Sequence, residues 1–420
     1  MSTRRNLHDH DSGEGLVSVE DARARILSRV TTMTPAELPL RDAFGCVQAE
    51  DAFASNDIPA FASSAMDGFA FRARDVNAAT LDRPATLAIT GEVFMGRPPG
   101  IRVPQGGAVR IPTGGVVPEG ADSIVPIEHC VLEGARVLIL RPPEKGRFIR
   151  AAGEDARRGE LLVPVGRRLL APDLGLLAAS ARGATRVIPR ARVAVVSTGD
   201  ELVEAGADVA EGQIPDANSV TLNAALLDAG AEPQPPIIVP DDPDEFRAAL
   251  TAAGESADVL IASGGVSVGD RDPVRGAFLG SGEVEFYGVA MQPGMPQAFG
   301  LVEGKPFFGL PGNPVSVFVS FEVFVRPALL KMMGRRSLFR QEVTARLEAA
   351  IAGPREKTQY AGVIAREGPD GWTAASTGSR QSNLIGTASR ANGLAIIPAG
   401  VAGLGAGDSC AVMLFRDSED

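Results

Sequence analysis

Short apolar stretches alternate with helical patterns between residues 190 and 333. Stretches of strand length lie at residues 193–197, 237–239 and 259–262. Helices are predicted at residues 219–229, 243–253 and 314–333, and the segment 273–279 follows the third strand. Further extended segments are predicted at residues 284–291 and 306–310. This alternation predicts βαβ units and a doubly wound parallel sheet, whose ligands bind at the carboxyl ends of the strands.

The hydrophobic pattern on either side of this block has a different rhythm. A helix that begins at Ser18 and extends to Met33 is predicted, with Ala22, Ile26 and Val30 on one face. Short apolar runs separated by Gly and Pro then predict β-rich structure up to residue 190, with one helix near residues 173–182. The runs lie at residues 85–89, 108–111, 123–127 and 136–140. After Gly334, a small β-barrel or sandwich is predicted from runs at residues 342–348, 361–366, 372–375, 393–397 and 409–414.

Composition and charge exclude several function classes. The chain has 420 residues, enough for about two to four domains, and a formal net charge of −11. This charge argues against nucleic acid or an anionic membrane as the main partner. The three cysteines form no CxxC motif, which favours a reducing compartment, and the three histidines offer no zinc pattern. Residues 1–15 have no apolar core of a signal peptide, and no apolar run approaches a membrane span, so we expect a cytoplasmic protein.

Three glycine-bearing loops follow predicted strands. They are Ser-Thr-Gly-Asp-Glu at residues 197–201, Ser-Gly-Gly-Val-Ser-Val-Gly at residues 263–269 and Gly-Leu-Pro-Gly-Asn-Pro at residues 309–314. Backbone amides exposed by Gly and Ser can bind a phosphate. Asp270 and Asp272 follow the second loop, and carboxylates beside phosphates indicate a divalent cation. Together the loops predict a site for a phosphorylated ligand and a metal, although a plain turn is the alternative for each one alone.

Several other polar positions have both a functional and a structural interpretation. Asp67 before Gly68, Thr113 before two glycines, and Asp155 among arginines can each be ordinary turns or solvated charges. In the segment of residues 212–218, Asn218 or Ser219 is expected to cap the following helix, which leaves Asp216 for another role. One of Asp241 and Asp242 is expected to cap the helix at Pro243, so that the other faces the site. With His129 alone in the body of the chain, a nucleophilic triad lacks its base, and no Walker motif is present.

The motifs taken together resemble the molybdopterin molybdenumtransferase family, which includes MoeA and the E domain of gephyrin. The resemblance covers about residues 16–415 in order. Its segments are Ser-Ala-Met-Asp-Gly-Phe-Ala at 64–70, Arg-Ile-Pro-Thr-Gly at 110–114, Pro-Glu-Gly-Ala-Asp at 118–122, Gly-Glu-Asp at 153–155, Ser-Thr-Gly-Asp-Glu-Leu at 197–202, the glycine loop at 263–269 with Asp272, Leu-Pro-Gly-Asn-Pro-Val-Ser at 310–316 and Ala-Asn-Gly-Leu at 391–394.

The resemblance implies a multidomain α/β plus β architecture and an elongated homodimer with its site between subunits. A disordered tail at residues 1–15 would precede an α+β connecting region at residues 16–61 and 147–189. A β-rich distal domain would occupy residues 62–146, and a doubly wound three-layer molybdopterin-binding domain residues 190–334. A C-terminal β-barrel would occupy residues 335–420. Molybdoenzyme apoproteins or chaperones are conceivable protein partners under this resemblance, whereas nucleic acid and membranes are not expected.

The reaction implied by the resemblance inserts molybdate into adenylylated molybdopterin, with Mg²⁺, and releases AMP. The positions that match catalytic residues are Asp67, Thr113, Asp155, Glu201, Asp241 and Asp272, and Asp67 and Thr113 would come from the partner subunit's side. Glu201, Asp241 and Asp272 are the expected cation ligands. The expected substrate-binding positions are Ser197, Thr198, Gly199, Asp216, Ser263, Gly264, Gly265, Ser267, Gly269, Gln292, Pro311, Gly312, Asn313 and Ser382.

One segment departs from the family pattern. The family commonly has Lys-Pro-Gly-Lys-Pro where this chain has Gln-Pro-Gly-Met-Pro at residues 292–296. Gln292 and Met295 thus stand at the positions of the two lysines, and Pro296 is kept. The two missing lysines are natural counter-charges for molybdate or phosphate, and each lost charge-assisted bond costs about 1.5–3 kcal/mol. The working transferase is favoured. The alternatives are a divergent paralogue that carries the pterin or cofactor, an enzyme specific for tungstate, and a non-catalytic scaffold.

Overall fold

The computed structural model describes residues 15–141, 143–266, 272–278, 280–378 and 381–416. These residues divide into two compact units. The N-terminal unit comprises Ala36–Phe44 and Gln48–Val187, and the large unit comprises Met1–Pro35, Gly45–Val47 and Ile188–Asp420. In the described part of the chain, no helix combines the length and apolar character needed to cross a membrane.

Helix α1 (Val19–Arg29) belongs to the large unit and confirms the predicted cap and buried face. Ser18 Oγ accepts a 3.0 Å hydrogen bond from the amide of Asp21. Ala22, Ile26 and Val30 are buried in the main core of the large unit. The helix ends at Arg29, four residues before the predicted end.

The N-terminal unit is β-rich, as predicted, and its largest sheet has the strand order β8-β5-β7-β6-β10-β9. The strands between residues 36 and 188 are β1 (Ala36–Pro39), β2 (Val47–Gln48), β3 (Ala52–Phe53), β4 (Ser63–Ser64), β5 (Gly68–Phe71), β6 (Ala85–Glu92), β7 (Gly107–Ile111), β8 (Ser123–Pro126), β9 (Cys130–Glu133), β10 (Arg136–Ile139), β11 (Ile149–Arg150), β12 (Leu161–Val163) and β13 (Ala184–Ile188). Short 3₁₀ turns lie at Leu40–Asp42, Ala73–Asp75 and Ile127–His129.

Two local features explain how this unit is arranged. Helix α2 (Ala171–Ala179) begins two residues before the predicted start, because Asp173 Oδ2 accepts a 2.9 Å hydrogen bond from the amide of Leu170. In β5, a Cβ on Gly68 would lie 1.9 Å from the carbonyl oxygen of Val125, so only glycine allows β5 and β8 to pair there. Strand β5 lies between β8 and β7, and all four of its residues are buried.

The α/β part of the large unit is a three-layer structure, as predicted. Its elements are β14 (Arg192–Thr198), β15 (Leu202–Val203), β16 (Ile214–Pro215), α3 (Ala217–Ala229), β17 (Glu232–Pro233), β18 (Ile237–Val239), α4 (Pro243–Gly254), β19 (Val259–Ser263), α5 (Pro273–Phe278), β20 (Val284–Gly288), β21 (Met291–Gln292), β22 (Pro296–Val302), β23 (Lys305–Leu310), α6 (Pro314–Ser320) and α7 (Arg326–Met332). Along β14, Val193 and Val195 face the core that contains α3, whereas Ala194 and Val196 face the core that contains α4.

The sheet of this part has the order β17-β14-β19-β23-β22-β20, with β18 also paired to β14. Strands β14, β17, β18, β19 and β23 are parallel, which confirms the predicted βαβ units. Strand β22 was not predicted, and it runs antiparallel to both of its neighbours. The sheet is therefore mixed at this edge and not parallel throughout.

The helix predicted at residues 314–333 is interrupted. A π-helical segment, Phe321–Val325, lies between α6 and α7. Glu322 in this segment is 3% exposed and accepts two 2.9 Å hydrogen bonds from the guanidinium of Arg340. This ion pair links the helix to the start of the last domain.

The last part of the large unit is a closed five-stranded barrel, which decides between the predicted barrel and sandwich. Its elements are β24 (Glu342–Leu347), β25 (Ile351–Ala352), β26 (Thr358–Gly368), β27 (Gly371–Ser376), α8 (Ile385–Ser389), β28 (Gly393–Ile397), β29 (Gly403–Leu404) and β30 (Ser409–Leu414). The order β26-β27-β24-β30-β28 closes because β28 also pairs with β26. Val363, Ala395 and Val412 are fully buried inside it.

Candidate functional site

A cleft of about 740 Å³ opens at the carboxyl ends of the parallel strands in the large unit. Its walls come from the residues that follow β14, β18, β19 and β23, so the three glycine-bearing loops meet there as predicted. Four carboxylates line the described part of this cleft, namely Glu201, Asp216, Asp241 and Asp272, whereas no Lys or Arg does so. The cleft therefore concentrates acceptor groups and negative charge beside open backbone.

The end of β14 is joined to the end of β18 through a side chain. The hydroxyl of Thr198 donates a 2.7 Å hydrogen bond to Oδ1 of Asp241. The amide of Asp241 in turn donates to Asp200 Oδ1 at 3.1 Å. Asp242 caps α4 and accepts from the amides of residues 244 and 245, both at 2.9 Å. This confirms that one of the two adjacent aspartates caps the helix while Asp241 faces the site.

Glycine at position 199 leaves room for the carboxylate of Glu201. A Cβ on Gly199 would lie 2.8 Å from Glu201 Oε2. The Glu201 carbonyl accepts a 2.8 Å hydrogen bond from the amide of Ile214, which starts the short parallel pair of β15 and β16. Glu201 is exposed at the cleft wall and is available to a ligand.

The loop after β19 depends on glycine at two positions. Gly264 and Gly265 have φ values of +89° and +63°, in the left-handed region. A Cβ on Gly264 would lie 2.8 Å from the carbonyl oxygen of Thr198, and one on Gly265 would lie 2.9 Å from Thr198 Cγ2. The loop thus packs against the end of β14. Of the predicted site residues, Ser267 and Gly269 lie outside the described residues, as does Asp270.

Asp272 lies at the end of this loop and lines the cleft. It is 9% exposed, and its Oδ1 accepts a 3.0 Å hydrogen bond from the amide of Arg275 in α5. Helix geometry therefore fixes one oxygen of this carboxylate.

The helix cap of α3 corrects one prediction. Asp216, and neither Asn218 nor Ser219, is the capping residue: its Oδ1 accepts from the amides of Asn218 at 3.1 Å and Ser219 at 3.0 Å. The reason is that β16 pairs with β15 up to Pro215, so the chain leaves the extended conformation at Asp216. Asn218, one of the two residues expected to cap the helix, instead lines the cleft.

The loop after β23 is tied to the start of α3. Asn218 Nδ2 donates a 2.7 Å hydrogen bond to the carbonyl of Gly312. Pro311, Gly312 and Asn313 all line the cleft. The carbonyl of Ser382 accepts from the amide of Val315 at 3.0 Å, and its neighbour Asn383 is the residue of the barrel domain that reaches the cleft wall.

Two serines predicted for the site are buried at the strand ends. Ser197 and Ser263 are 1% and 2% exposed, and neither hydroxyl has a hydrogen-bond partner among the described residues. Ser263 lines the cleft, whereas Ser197 is not among its lining residues. Ser263 therefore offers a hydroxyl to a ligand.

The N-terminal unit brings two of its predicted site residues together. Asp67 Oδ1 accepts a 2.9 Å hydrogen bond from the amide of Thr113, across the β5 and β7 strands. Asp155 is exposed elsewhere in this unit, and its amide donates to the carbonyl of Ile58 at 2.9 Å. Asp67 and Thr113 thus form one structural pair, which the sequence spacing alone did not predict.

The segment that departs from the family pattern lies beside the barrel. Gln292 ends β21, which pairs with β26 next to Gln359, and it lines a small cavity of about 30 Å³ together with Val315 and Tyr360. Pro296 of the same segment lines the large cleft, whereas the carbonyl of Met295 accepts from the amide of Val289 at 2.7 Å. Gln292 is therefore not among the residues that line the large cleft.

The expected metal ligands share a wall but do not form a ready-made cage. Among the described residues, no three Asp, Glu, His or Cys side chains are grouped closely enough to hold a metal ion. Glu201, Asp241 and Asp272 nevertheless line the same cleft. Mg²⁺ is usually held by one or two carboxylates together with substrate phosphates and water. The arrangement fits a cation that is completed by a phosphorylated ligand.

Three family descriptions match successive parts of the chain. "MoeA N-terminal region (domain I and II)" matches residues 17–181, "Probable molybdopterin binding domain" matches residues 194–331, and "MoeA C-terminal region (domain IV)" matches residues 344–415. The fold and the cleft therefore define a multidomain protein built around an α/β domain of the molybdopterin-binding class.

Individual relatives agree with these matches. The molybdopterin molybdenumtransferase 2 of Mycobacterium tuberculosis (strain ATCC 25618 / H37Rv) is 39% identical over 397 residues, which cover 93% of this chain and 97% of the relative. The molybdopterin molybdenumtransferase of Haemophilus influenzae is 36% identical over 323 residues, 76% of this chain and 79% of the relative. The crystal structure of the molybdopterin biosynthesis MoeA protein from Pyrococcus horikosii has a TM-score of 0.74 and 31% identity, and covers 96% of this chain and 100% of its own. The chain belongs to the molybdopterin molybdenumtransferase family, a family of transferases, which confirms the resemblance drawn from its motifs.

Proposed function

We propose that this protein transfers molybdenum from molybdate to the dithiolene sulfurs of adenylylated molybdopterin and releases AMP, with Mg²⁺ as the assisting cation. The observation that carries the proposal is the cleft at the carboxyl ends of β14, β18, β19 and β23, where glycine loops and carboxylates converge. Family membership supports the transfer reaction, and the cleft chemistry supports a phosphorylated ligand.

The loops and the carboxylates have complementary roles in this proposal. The open backbone around Gly264, Gly265 and Gly312 gives phosphate oxygens access to amide donors. Glu201, Asp241 and Asp272 would hold Mg²⁺ together with the ligand phosphates. When bound, Mg²⁺ neutralises phosphate charge and so makes AMP a better leaving group. The hydrogen bond from the Thr198 hydroxyl keeps Asp241 turned to the cleft. Because Asp242 caps α4, Asp241 is not needed as the helix cap.

The residues of the N-terminal unit enter the proposal through a homodimer. Asp67 and Thr113 would act on substrate bound in the cleft of the partner subunit. If so, mixing Asp67→Asn chains with Asp272→Asn chains should restore activity, because a mixed dimer contains one site with neither substitution. Inactive mixtures of well-formed mixed dimers would contradict this arrangement.

The free thiols of Cys46, Cys130 and Cys410 support a cytoplasmic location.

The test is AMP release by the purified protein with adenylylated molybdopterin and Mg²⁺, with molybdate or tungstate added in parallel. AMP release that requires molybdate supports the proposal. Release with tungstate alone would instead indicate a tungstate-specific enzyme. Tungstate is tested because Gln292 and Met295 replace the two lysines of the family pattern. Pterin binding without AMP release under either condition would indicate a carrier or a scaffold.

A further inference from the structure

Two hydrogen-bond acceptors lie unsatisfied at the start of α3. Asp216 is 2% exposed; its Oδ1 accepts two backbone amides, whereas its Oδ2 is buried and has no partner among the described residues. Asn218 Oδ1 is also a buried atom with no hydrogen-bond partner among the described residues. Buried acceptors of this kind destabilise a protein unless a ligand or solvent supplies donors. Both residues line the cleft, so a ligand bound there can supply them.

The orientation of both groups is fixed by the fold. Asn218 Nδ2 donates to the Gly312 carbonyl at 2.7 Å, so the other end of the amide must present its oxygen. The two backbone hydrogen bonds to Asp216 Oδ1 likewise determine which oxygen remains. This wall therefore presents two acceptors from positions two residues apart.

The environment of Asp216 favours a neutral donor over a cation. Its carboxylate caps a helix of 13 residues, and the positive end of the helix dipole and two amides already stabilise its charge. Glu201 and Asp241, in contrast, are exposed carboxylates that do not cap helices. What Asp216 Oδ2 lacks is a hydrogen-bond donor.

We propose that Asp216 and Asn218 recognise the 2-amino-4-oxopyrimidine edge of the pterin ring. That edge carries a ring N–H and an exocyclic NH₂ side by side, two donors for two acceptors. The adenine of AMP presents a donor beside an acceptor on its corresponding edge, so it does not match this wall. The inference rests on the proposed function for the identity of the pterin, and it assigns the pterin end of the substrate to the start of α3.

The test is binding of molybdopterin and, separately, of AMP, measured anaerobically by calorimetry without molybdate. Asp216→Asn is the informative variant, because asparagine also caps helices well but replaces the Oδ2 acceptor with a donor. The matched control is Asp242→Asn, which makes the same change at the cap of α4 and does not line the cleft. Circular dichroism and thermal unfolding check that α3 is retained.

The expected result is a loss of molybdopterin affinity of about 10- to 100-fold in Asp216→Asn, with AMP affinity unchanged. The molybdopterin affinity of Asp242→Asn should lie within about twofold of that of the unsubstituted protein. Unchanged molybdopterin affinity, an equal loss for AMP, or a loss seen only when Mg²⁺ is present would overturn the proposal. If Asp216→Asn does not fold, Asn218→Ala decides by the same criteria. Because no turnover is involved, a failure of AMP release leaves this test intact.

Discussion

The hydroxyl of Thr198 and the carboxylate of Asp241 meet at 2.7 Å, and this contact joins the carboxyl ends of two parallel strands. It holds Asp241 at the cleft wall while the adjacent Asp242 is committed to the cap of α4. Thr198 is 6% exposed, whereas Asp241 is exposed, so the hydrogen bond is partly buried. The orientation of a proposed cation ligand thus depends on a neutral residue in the neighbouring strand.

Thr198→Val tests this dependence with little change in volume. Loss of a hydrogen bond to a carboxylate costs about 1.5–3 kcal/mol, so we expect a roughly tenfold rise in the Mg²⁺ concentration required for half-maximal AMP release. The matched control is Thr373→Val, which removes a hydroxyl that donates to Glu348 at 3.2 Å in the barrel. Equal Mg²⁺ requirements in the unsubstituted protein, Thr198→Val and Thr373→Val would contradict the role assigned to Thr198.

Gly264→Ala tests whether the loop after β19 requires glycine. The alanine would combine a φ of +89° with a Cβ 2.8 Å from the Thr198 carbonyl, so the loop must move. We expect a loss of roughly 2–4 kcal/mol in the free energy of unfolding and weaker molybdopterin binding. Gly304→Ala is the control, since it has a φ of +79° and open space around its Cβ, and should cost only about 1 kcal/mol. Equal denaturation midpoints for the two variants would contradict the packing argument.

Asp67→Asn separates charge from turn geometry in the N-terminal unit. Asparagine can still accept the hydrogen bond from the Thr113 amide, which is 2.9 Å long, whereas alanine cannot. If the carboxylate acts on the substrate, AMP release should fall by about 10²-fold or more in Asp67→Asn, with an unchanged melting temperature. Asp67→Ala should lose stability as well. Full activity of Asp67→Asn would show that Asp67 has only a structural role.

Restoring the missing lysines tests what the departure at residues 292–296 costs. Each of Gln292→Lys and Met295→Lys adds a cation where the family resemblance leads us to expect one. A charge-assisted bond to an oxyanion should lower the KM for molybdate by about tenfold. Gln341→Lys adds the same charge at an exposed barrel position and serves as the control. An unchanged KM in the lysine variants would mean that molybdate does not bind near this segment.

The ion pair of Arg192 and Asp258 predicts an acid-dependent part of the stability. Burial raises the pKa of Asp258, but the hydrogen bonds and charge of Arg192 outweigh it, so the pKa lies below its ordinary value of 3.8. A lowered native pKa stabilises the fold above about pH 4, and the contribution disappears as the pH falls through the native value. Because the Arg192 side chain is 51% exposed, we expect only about 1 kcal/mol. The difference in unfolding free energy from Asp258→Asn should be constant from pH 5 to 8 and vanish in stronger acid; a difference that grows in acid would contradict this sign.

The sequence predicted most elements because their periodicity is local. Strands such as β14 and β19 are apolar on both faces, and the caps of α1 and α4 are short-range hydrogen bonds. Strand β22 was not predicted because it contains Pro296 and Gly300, and both residue types are unfavourable in strands. The structure requires that glycine, since a Cβ there would lie 2.1 Å from the carbonyl of Glu283 in the neighbouring segment. This close approach depends on tertiary pairing and leaves no local pattern.

The site was predictable in its location more than in its details. Strand ends and glycine loops indicated the cleft, because parallel strands bring their carboxyl ends to one edge. The assignment of the α3 cap failed because Asp, Asn and Ser are all good caps, and propensity cannot choose between positions two or three residues apart. The pairing of β15 with β16 makes that choice in favour of Asp216. The contact of Asp67 with Thr113 likewise required the register of β5 against β7.

The most direct test of the account is AMP release from adenylylated molybdopterin by the unsubstituted protein and by Asp272→Asn, with and without molybdate. Asparagine can keep the hydrogen bond from the Arg275 amide, 3.0 Å long, so the helix start should persist while the charge is lost. We expect molybdate-dependent AMP release by the unsubstituted protein and at least a tenfold loss in Asp272→Asn, with unchanged oligomeric state. Equal release by both proteins, or release that does not depend on an oxyanion, would contradict a transferase site in this cleft.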